Sequence, residues 1–157
     1  MSIKRHLATF TLDNLSFSID VARVQEVLRF QPMTRVPLAP KIVGGLINLR
    51  GEIVAAICLR LRLGLPPRPE GVAPMSVVLR TEDGAVSLLV DSIGEVVTVD
   101  QDDFELPPDT MTGPAREVIE GVYKLPQGLL LALDWKTAVA SPARAQNGES
   151  RMERVMR

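Results

Sequence analysis

The sequence is poor in the residues that most often carry out chemistry. Its 157 residues include one cysteine (Cys58), one histidine (His6), one tryptophan, one tyrosine and four phenylalanines. A single cysteine excludes a disulfide within the chain and is typical of a reducing compartment. A lone histidine without a partner makes a poor general base, and so few aromatic rings cannot form a base-stacking platform. These shortages count against an enzyme and against nucleic-acid binding.

Long apolar runs and a strong net charge are also missing. The longest continuous apolar run covers residues 53–59, which is far too short to span a bilayer. The net charge of −1 provides no overall field that would attract nucleic acid or a membrane. The first residues are basic but no apolar segment follows them, so we expect no signal peptide. The sequence therefore predicts a cytoplasmic protein without direct membrane insertion.

No motif for a metal or a cofactor is present. Asp100, Asp102 and Asp103 have the spacing of a calcium loop, but the sixth position is Glu105 and the twelfth is Met111. An EF-hand loop needs glycine and glutamate at those places. The glycines are not arranged as a phosphate-binding loop, and no serine lies in a nucleophile motif. We therefore expect no cofactor, no metal and no catalytic residue.

The most informative stretch predicts two β-strands, residues 43–49 and 53–61, joined by a tight turn. In the second strand leucines alternate with arginines, which is the period of a half-buried strand. Gly51 can adopt positive φ in the turn at no steric cost. The turn would hold the guanidinium of Arg50 at its tip, where its donors can reach a partner. The alternative is an ordinary solvated arginine.

The remaining pattern predicts further hairpins and little helix. A helix is predicted for residues 21–28, followed by a proline-containing loop, 30–40, whose apolar residues should be buried. A proline-rich linker, 64–74, divides the strand pattern into two halves. The predicted strands cover residues 7–12, 15–19, 75–80, 85–91, 96–99, 118–125 and 129–133, with a bulge or bend at Gly94 and a short helix after Asp134.

About nine short strands with turns between them predict an all-β fold of two sheets or small barrels. Each half is too small to be stable by itself, so the two should share a hydrophobic core, with a crossover near 64–74 and one or two short helices. The polar residues 142–157 cannot bury enough apolar surface to become ordered alone, which predicts a disordered tail.

Four segments together resemble the CheW family of bacterial chemotaxis adaptors. They are FSID (17–20), VQEV (24–27), GLINLRGEIV (45–54) with its NLRG core, and LLVDSIGEVV (88–97). They occur in the family's order, and the resemblance covers about residues 7 to 140. NLRG alone is a weak motif, but its spacing from the two flanking segments is fairly specific. The family usually has aspartate where this chain has Cys58, which puts the partner's identity in question more than the fold.

The resemblance implies a domain of residues 1–141 with two SH3-like five-stranded barrels around a common core. It also implies a non-enzymatic adaptor that couples the cytoplasmic coiled-coil tips of chemoreceptors to the regulatory domain of the histidine kinase CheA. The alternative is a regulatory subunit of another histidine kinase without receptor contact.

The resemblance further implies a protein-binding surface. By position it would include Val24, Glu26, Asn48, Leu49, Arg50, Gly51, Glu52, Asp91 and Ile93. A groove between the two lobes would receive the apolar face of a receptor helix. Arg50 could pair with a partner's carboxylate through two parallel hydrogen bonds.

Overall fold

A computed structural model describes residues 3–140 of the chain. Its strands are β1 (Lys4–Leu12), β2 (Leu15–Asp20), β3 (Val24–Leu28), β4 (Val43–Leu49), β5 (Glu52–Cys58), β6 (Met75–Thr81), β7 (Gly84–Val90), β8 (Ser92–Asp100), β9 (Phe104–Glu105), β10 (Ile119–Leu125) and β11 (Gly128–Leu133). Its α-helices are α1 (Leu59–Leu63), α2 (Pro114–Val118) and α3 (Trp135–Val139). Turns of 3-10 helix occupy Val21–Arg23 and Gln101–Asp103.

The strands form two sheets that correspond to two lobes. The first sheet has the order β8-β1-β2-β11-β10-β9, and the second has the order β3-β6-β7-β5-β4. The chain passes from the first sheet to the second through Val21–Arg23 and returns at Asp91. The predicted crossover near 64–74 is therefore wrong, because that segment joins α1 to β6 within the second sheet. Prolines and glycines mark an interruption of a strand ladder but do not say which sheet the next strand joins.

A shared core joins the lobes, as predicted. Phe10 and Phe17 of the first sheet stack with ring centroids 5.8 Å apart, and they belong to the same buried cluster as Leu79 and Leu88 of the second sheet. Each lobe also has a smaller cluster of its own. The predicted fold class is confirmed: an all-β protein of two lobes around a common core, with short helices. The sixth strand of the first sheet is the two-residue β9. The predicted tail lies outside the described residues.

The predicted helix at 21–28 is wrong. A single 3-10 turn occupies Val21–Arg23, and β3 follows and pairs antiparallel with β6. The three- and four-residue spacing of the valines imitated a helical face, but β-branched side chains fit a pleated edge strand better. This change places β3 at the edge of the second sheet, beside the first lobe.

The predicted strand at 53–61 is wrong in its second half. β5 ends at Cys58, and the alternating leucines and arginines form α1 instead. Gly64 ends this helix at φ 74, and its N–H donates to the carbonyls of Arg60 and Leu61. Arg60 and Arg62, placed on the outer face by the alternation, are each only 6% exposed. The helix turns both arginines inward, where acceptors receive them.

The apolar residues of the loop at 30–40 are not all buried as predicted. Met33 packs against the second lobe's own cluster, and Thr34 pairs with Leu46 of β4. Phe30 is 44% exposed and Leu38 is fully exposed. Three prolines keep this loop out of a regular ladder, so only its middle is tied to the sheet.

Two smaller predictions are confirmed. The register of β1 against β8 shifts opposite Gly94, as expected for a bulge. A Cβ at Gly94 would lie 2.5 Å from Thr9 Oγ1, so the close approach of β1 requires glycine. The helix after Asp134 is also present, because the Asp134 carboxylate accepts a hydrogen bond from the Thr137 N–H.

Replacing Cys58 with aspartate should stabilise the protein. Cys58 is the N-cap of α1, has extended backbone angles and provides no side-chain acceptor. An aspartate there would accept a free helix N–H, which typically contributes about 1 kcal/mol, or a rise of roughly 3 °C in the thermal midpoint. Thermal unfolding of Cys58→Asp against Cys58→Ala measures this. A midpoint for the aspartate variant no higher than that of the alanine variant would contradict the capping role.

Candidate protein-docking site

A groove of about 230 Å³ lies between the two lobes and is mostly apolar. Its walls come from β1 and β8 of the first lobe and from β3 of the second. They include Phe10, Val24, Val27, Ile93 and Val96. Val24 and Ile93 were predicted as partner contacts from segments far apart in the sequence, and the fold brings them to the same groove. Val27 and Val96 are 47% and 58% exposed, so apolar surface remains open to a partner.

The edge of the groove carries an ion pair between Glu26 on β3 and Arg50. Arg50 Nη2 donates to Glu26 Oε2, and Gln25 Nε2 donates to the same oxygen at 3.2 Å. The bond from Arg50 holds the pKa of Glu26 below its ordinary value. The Arg50 side chain remains 68% exposed, and that of Glu26 is 22% exposed. Arg50 is therefore neither freely solvated nor buried against its own chain.

The turn that holds Arg50 is built from the NLRG segment. Asn48 Oδ1 accepts a hydrogen bond from the Gly51 N–H at 3.0 Å, which closes the turn. Glu52 Oε2 accepts one from the Ala85 N–H at 3.4 Å. Leu49 is buried in the second lobe's own cluster, so its side chain anchors the turn from below. These contacts fix the base of the turn and leave its tip open.

Arg50 adopts an uncommon backbone conformation. Its φ is +50°, and that of Gly51 is +89°. Glycine and asparagine tolerate the left-handed region better than arginine does, so a strong turn former would fit position 50 better. Such outliers concentrate at functional sites. This position therefore favours a role for the guanidinium that the fold alone does not require.

Asp91 lies away from the groove, in an ion cluster that joins the lobes. Arg60 donates twice to its carboxylate, from Nε at 2.9 Å and from Nη2 at 2.5 Å, and Arg68 Nε donates at 3.2 Å. The N–H of Asp13, in the first lobe, donates to Asp91 Oδ2 at 2.9 Å. Arg60 also donates to the Pro66 carbonyl at 2.7 Å. Asp91 thus connects the hairpin turn of one lobe to the helix of the other, and Ile93, two residues further on, lines the groove.

The contribution of this ion cluster to the free energy of unfolding should be lost at low pH. The hydrogen bonds from Arg60 lower the pKa of Asp91 from 3.8 to about 2. A lowered pKa in the folded state means that the contribution is complete above the unfolded-state pKa and is lost as the pH falls through the folded-state pKa. Between pH 3.8 and about 2 the free energy of unfolding should fall by about 2 kcal/mol from this group.

Urea unfolding of the wild type and of Asp91→Asn, measured from neutral pH down to about 2, tests this expectation. The asparagine variant should start less stable and should lack this part of the acid-dependent loss. Equal losses in the two proteins over the acid range would show that Asp91 is not the titrating group.

Sequence reasoning missed a second exposed surface. Phe30, Val36 and Leu38, which we call the apolar loop surface, are 44%, 37% and 104% exposed. Leu38 has φ +68°, an unusual conformation for a leucine at a loop tip. No acidic residue occurs between Glu26 and Glu52. The charged residues in and directly beside the loop at 30–40 are all basic: Arg29, Arg35 and Lys41. The three prolines of this loop were a signal that its apolar side chains could not all reach a core.

Two other kinds of site were sought among residues 3–140. No group of three or more histidine, cysteine or acidic side chains there could hold a metal ion. None of the helices in that part of the chain is both long and apolar enough to cross a membrane.

Comparison with known proteins gives a consistent result. A family model described as "CheW-like domain" matches residues 6–142. The chemotaxis protein CheW of Treponema pallidum is 33% identical over 82% of this chain and 78% of its own length. That of Rhizobium meliloti is 30% identical over 82% of this chain and 83% of its own length. The crystal structure of the scaffolding protein CheW from Thermoanaerobacter tengcongensis aligns with a TM-score of 0.75 and 26% identity, covering 83% of this chain and 89% of that one.

Proposed function

The chain belongs to the CheW-like domain family, and from this premise we propose that it is a non-enzymatic adaptor in bacterial chemosensory signalling. It couples the cytoplasmic coiled-coil tips of chemoreceptors to the regulatory domain of the histidine kinase CheA, and it works in the cytoplasm. The observation that carries the proposal is the apolar groove between the lobes with the Arg50–Glu26 pair at its edge. Relatives named as chemotaxis and scaffolding proteins support the same direction.

The groove fits one face of a helix. An amphipathic helix binds such a groove through apolar side chains at three- and four-residue spacing, and Val24, Val27 and Val96 are available to receive them. The exposed guanidinium of Arg50 then lies at the edge, where it can turn from Glu26 to a carboxylate of the helix. A carboxylate of the helix paired with Arg50 there would add affinity and would also set the direction of the helix.

A coupler needs two surfaces, because it must hold two partners at once. The apolar loop surface is the second one, and we assign the kinase domain to it. Its exposed Phe30 and Leu38 provide anchors of the kind that dominate binding energy in protein interfaces. Its basic neighbours favour an acidic partner surface.

Val96→Asp should weaken binding to a soluble chemoreceptor tip fragment by at least about tenfold, since a carboxylate would enter the apolar groove. Val96 is 58% exposed, so the substitution should leave folding intact. Val72→Asp is the matched control, because Val72 is 51% exposed and lies outside the groove. Calorimetric titration measures both. If Val96→Asp binds as tightly as the control, the groove is not the receptor site.

Phe30→Ser combined with Leu38→Ser should separate the two partners. Pull-down of the kinase should fall by at least about tenfold while receptor binding stays at the wild-type level. Unchanged kinase binding would refute the assignment of this surface.

The wild-type protein also tests the alternative of a regulatory subunit of another histidine kinase. Capture of a kinase with no receptor would favour that alternative over the coupler.

A further inference from the structure

A second cavity, of about 300 Å³, opens at the mouth of the first lobe's barrel. We propose that it binds a small zwitterion: a free amino acid with an apolar side chain. Two charged side chains of opposite sign in this cavity make no hydrogen bond or ion pair within residues 3–140. The proposal does not depend on the chemotactic function proposed above, because none of the protein-binding residues predicted from the sequence lines this cavity.

The cavity has the location and size of a ligand site. It lies where the 3-10 turn Val21–Arg23 and the start of α3 meet the end of the barrel, with walls that include Leu7, Ile19 and Phe104. Its volume is at the lower end of the range of about 300–1,000 Å³ that is usual for ligand pockets, and barrel mouths are common places for them. The lining combines these apolar side chains with charged ones.

Four charged side chains line this cavity, and two of them neutralise each other. Arg5 Nη2 donates to Asp20 Oδ2 at 3.3 Å. The other two, Arg23 and Glu120, make no hydrogen bond or ion pair with any residue between 3 and 140. A cation and a carboxylate, both on solvent-exposed residues, therefore line the same cavity without a direct bond to another side chain in that part of the protein.

The free arginine is held in place by an aromatic ring. The Arg23 guanidinium carbon lies 5.3 Å from the ring centroid of Trp135, at the start of α3. A stacked guanidinium loses little freedom when it binds a planar carboxylate, so its donors are ready to receive one. This fixes the anionic end of the ligand beside Trp135.

The free carboxylate favours a cation. Partial desolvation and the neighbouring carboxylate of Asp134 raise the pKa of Glu120 above its ordinary value, and the nearby guanidinium of Arg5 offsets part of this rise. A ligand ammonium group beside it would reverse this effect, because an opposite charge favours the ionised form. The ligand thus needs a carboxylate at one end, an ammonium group at the other and an apolar part for the wall. An amino acid with an apolar side chain meets these requirements.

Trp135 is the only tryptophan of the chain and lines this cavity, so a ligand bound there should change the protein's tryptophan fluorescence. Titration with L-leucine should change the emission saturably, with a dissociation constant of about 1 mM or tighter. Two analogues each lack one charge: 4-methylpentanoate has no ammonium group, and 3-methylbutylamine has no carboxylate. Each should bind at least about tenfold more weakly than leucine, because one free protein charge stays unpaired.

Arg23→Gln and Glu120→Gln should each raise the dissociation constant of leucine at least about tenfold. Arg29→Gln and Glu95→Gln are the controls, because both side chains are exposed and lie outside the cavity. The midpoint of each titration is compared rather than its amplitude, since Arg23 itself touches the indole. No saturable change up to about 10 mM leucine would overturn the proposal. So would wild-type affinity in both glutamine variants, or equal binding of leucine and its two analogues.

Discussion

Arg50→Asn should abolish co-sedimentation with a chemoreceptor, leave direct kinase binding at the apolar loop surface unchanged, and leave the thermal midpoint within roughly 3 °C of the wild type. Asparagine is compatible with the φ of +50° at this position, and the hydrogen bond from the Gly51 N–H to Asn48 does not involve the arginine side chain. The substitution removes the exposed fork of donors together with its ion pair to Glu26. Arginine is among the interface residues whose truncation most often weakens binding by about 30-fold or more.

Arg50→Glu is the companion variant, because it reverses the charge beside Glu26 and Glu52. It should bind no better than Arg50→Asn, and it should be the less stable of the two because like charges then meet at the turn. Normal assembly of the asparagine variant would show that Arg50 does not contact a partner. A large fall in its thermal midpoint would show instead that the arginine serves the fold.

Asp91→Ala should lower the free energy of unfolding by about 3–5 kcal/mol, or the thermal midpoint by roughly 10 °C. The Arg60 side chain is only 7% exposed, and the substitution leaves its charge with only a longer ion pair, from Nη2 to Asp13 Oδ1 at 3.9 Å. The N–H of Asp13 and the guanidinium of Arg68 lose an acceptor at the same time. Denaturant unfolding measures the change. Asp109→Ala is the control, because Asp109 is an exposed aspartate in a loop.

A double variant shows why Asp91→Ala lowers the free energy of unfolding: because the attraction between Asp91 and Arg60 is lost, or because Arg60 is left as a poorly paired buried charge. Arg60→Met with Asp91→Leu removes both charges and keeps apolar volume, so it should be more stable than Asp91→Ala alone. If the double variant is the less stable protein, the ion cluster stabilises the lobes beyond satisfying Arg60. A change below about 1 kcal/mol in Asp91→Ala would contradict the role given to this cluster.

Local pattern was enough for most strands and for the turn at Arg50. The first hairpin and the strand at residues 43–49 follow from alternation and from residues that tolerate positive φ. Sequence pattern gave a wrong prediction where the same residues fit both a helical period and a strand period. Valines at 21–28 satisfied a helical spacing but form a strand, whereas the leucines and arginines at 59–63 satisfied a strand but form a helix. In both segments tertiary contacts determined the secondary structure. Residues 24–28 pair with β6 as a strand. Residues 59–63 form a helix, which brings Arg60 and Arg62 to their hydrogen-bond acceptors.

The site could be predicted in part. The family resemblance indicated Val24, Glu26, Arg50 and Ile93, and the fold places them in or beside one groove. The pattern of residues along the chain could not have shown that Val24 and Ile93 lie close together, because their strands, β3 and β8, belong to different sheets. The same resemblance included Asp91 and Leu49, whose side chains hold the lobes together and fill a core. Contact of any of the nine residues predicted from the resemblance with a partner remains a prediction.

The most direct test is an NMR titration of the isotope-labelled protein with a chemoreceptor tip fragment. We expect saturable shifts of amide signals that are confined to the groove and its edge, at Val24, Val27, Arg50, Ile93 and Val96. Absence of binding would contradict it, as would shifts centred on surfaces outside the groove, such as those around Val72 or Leu129.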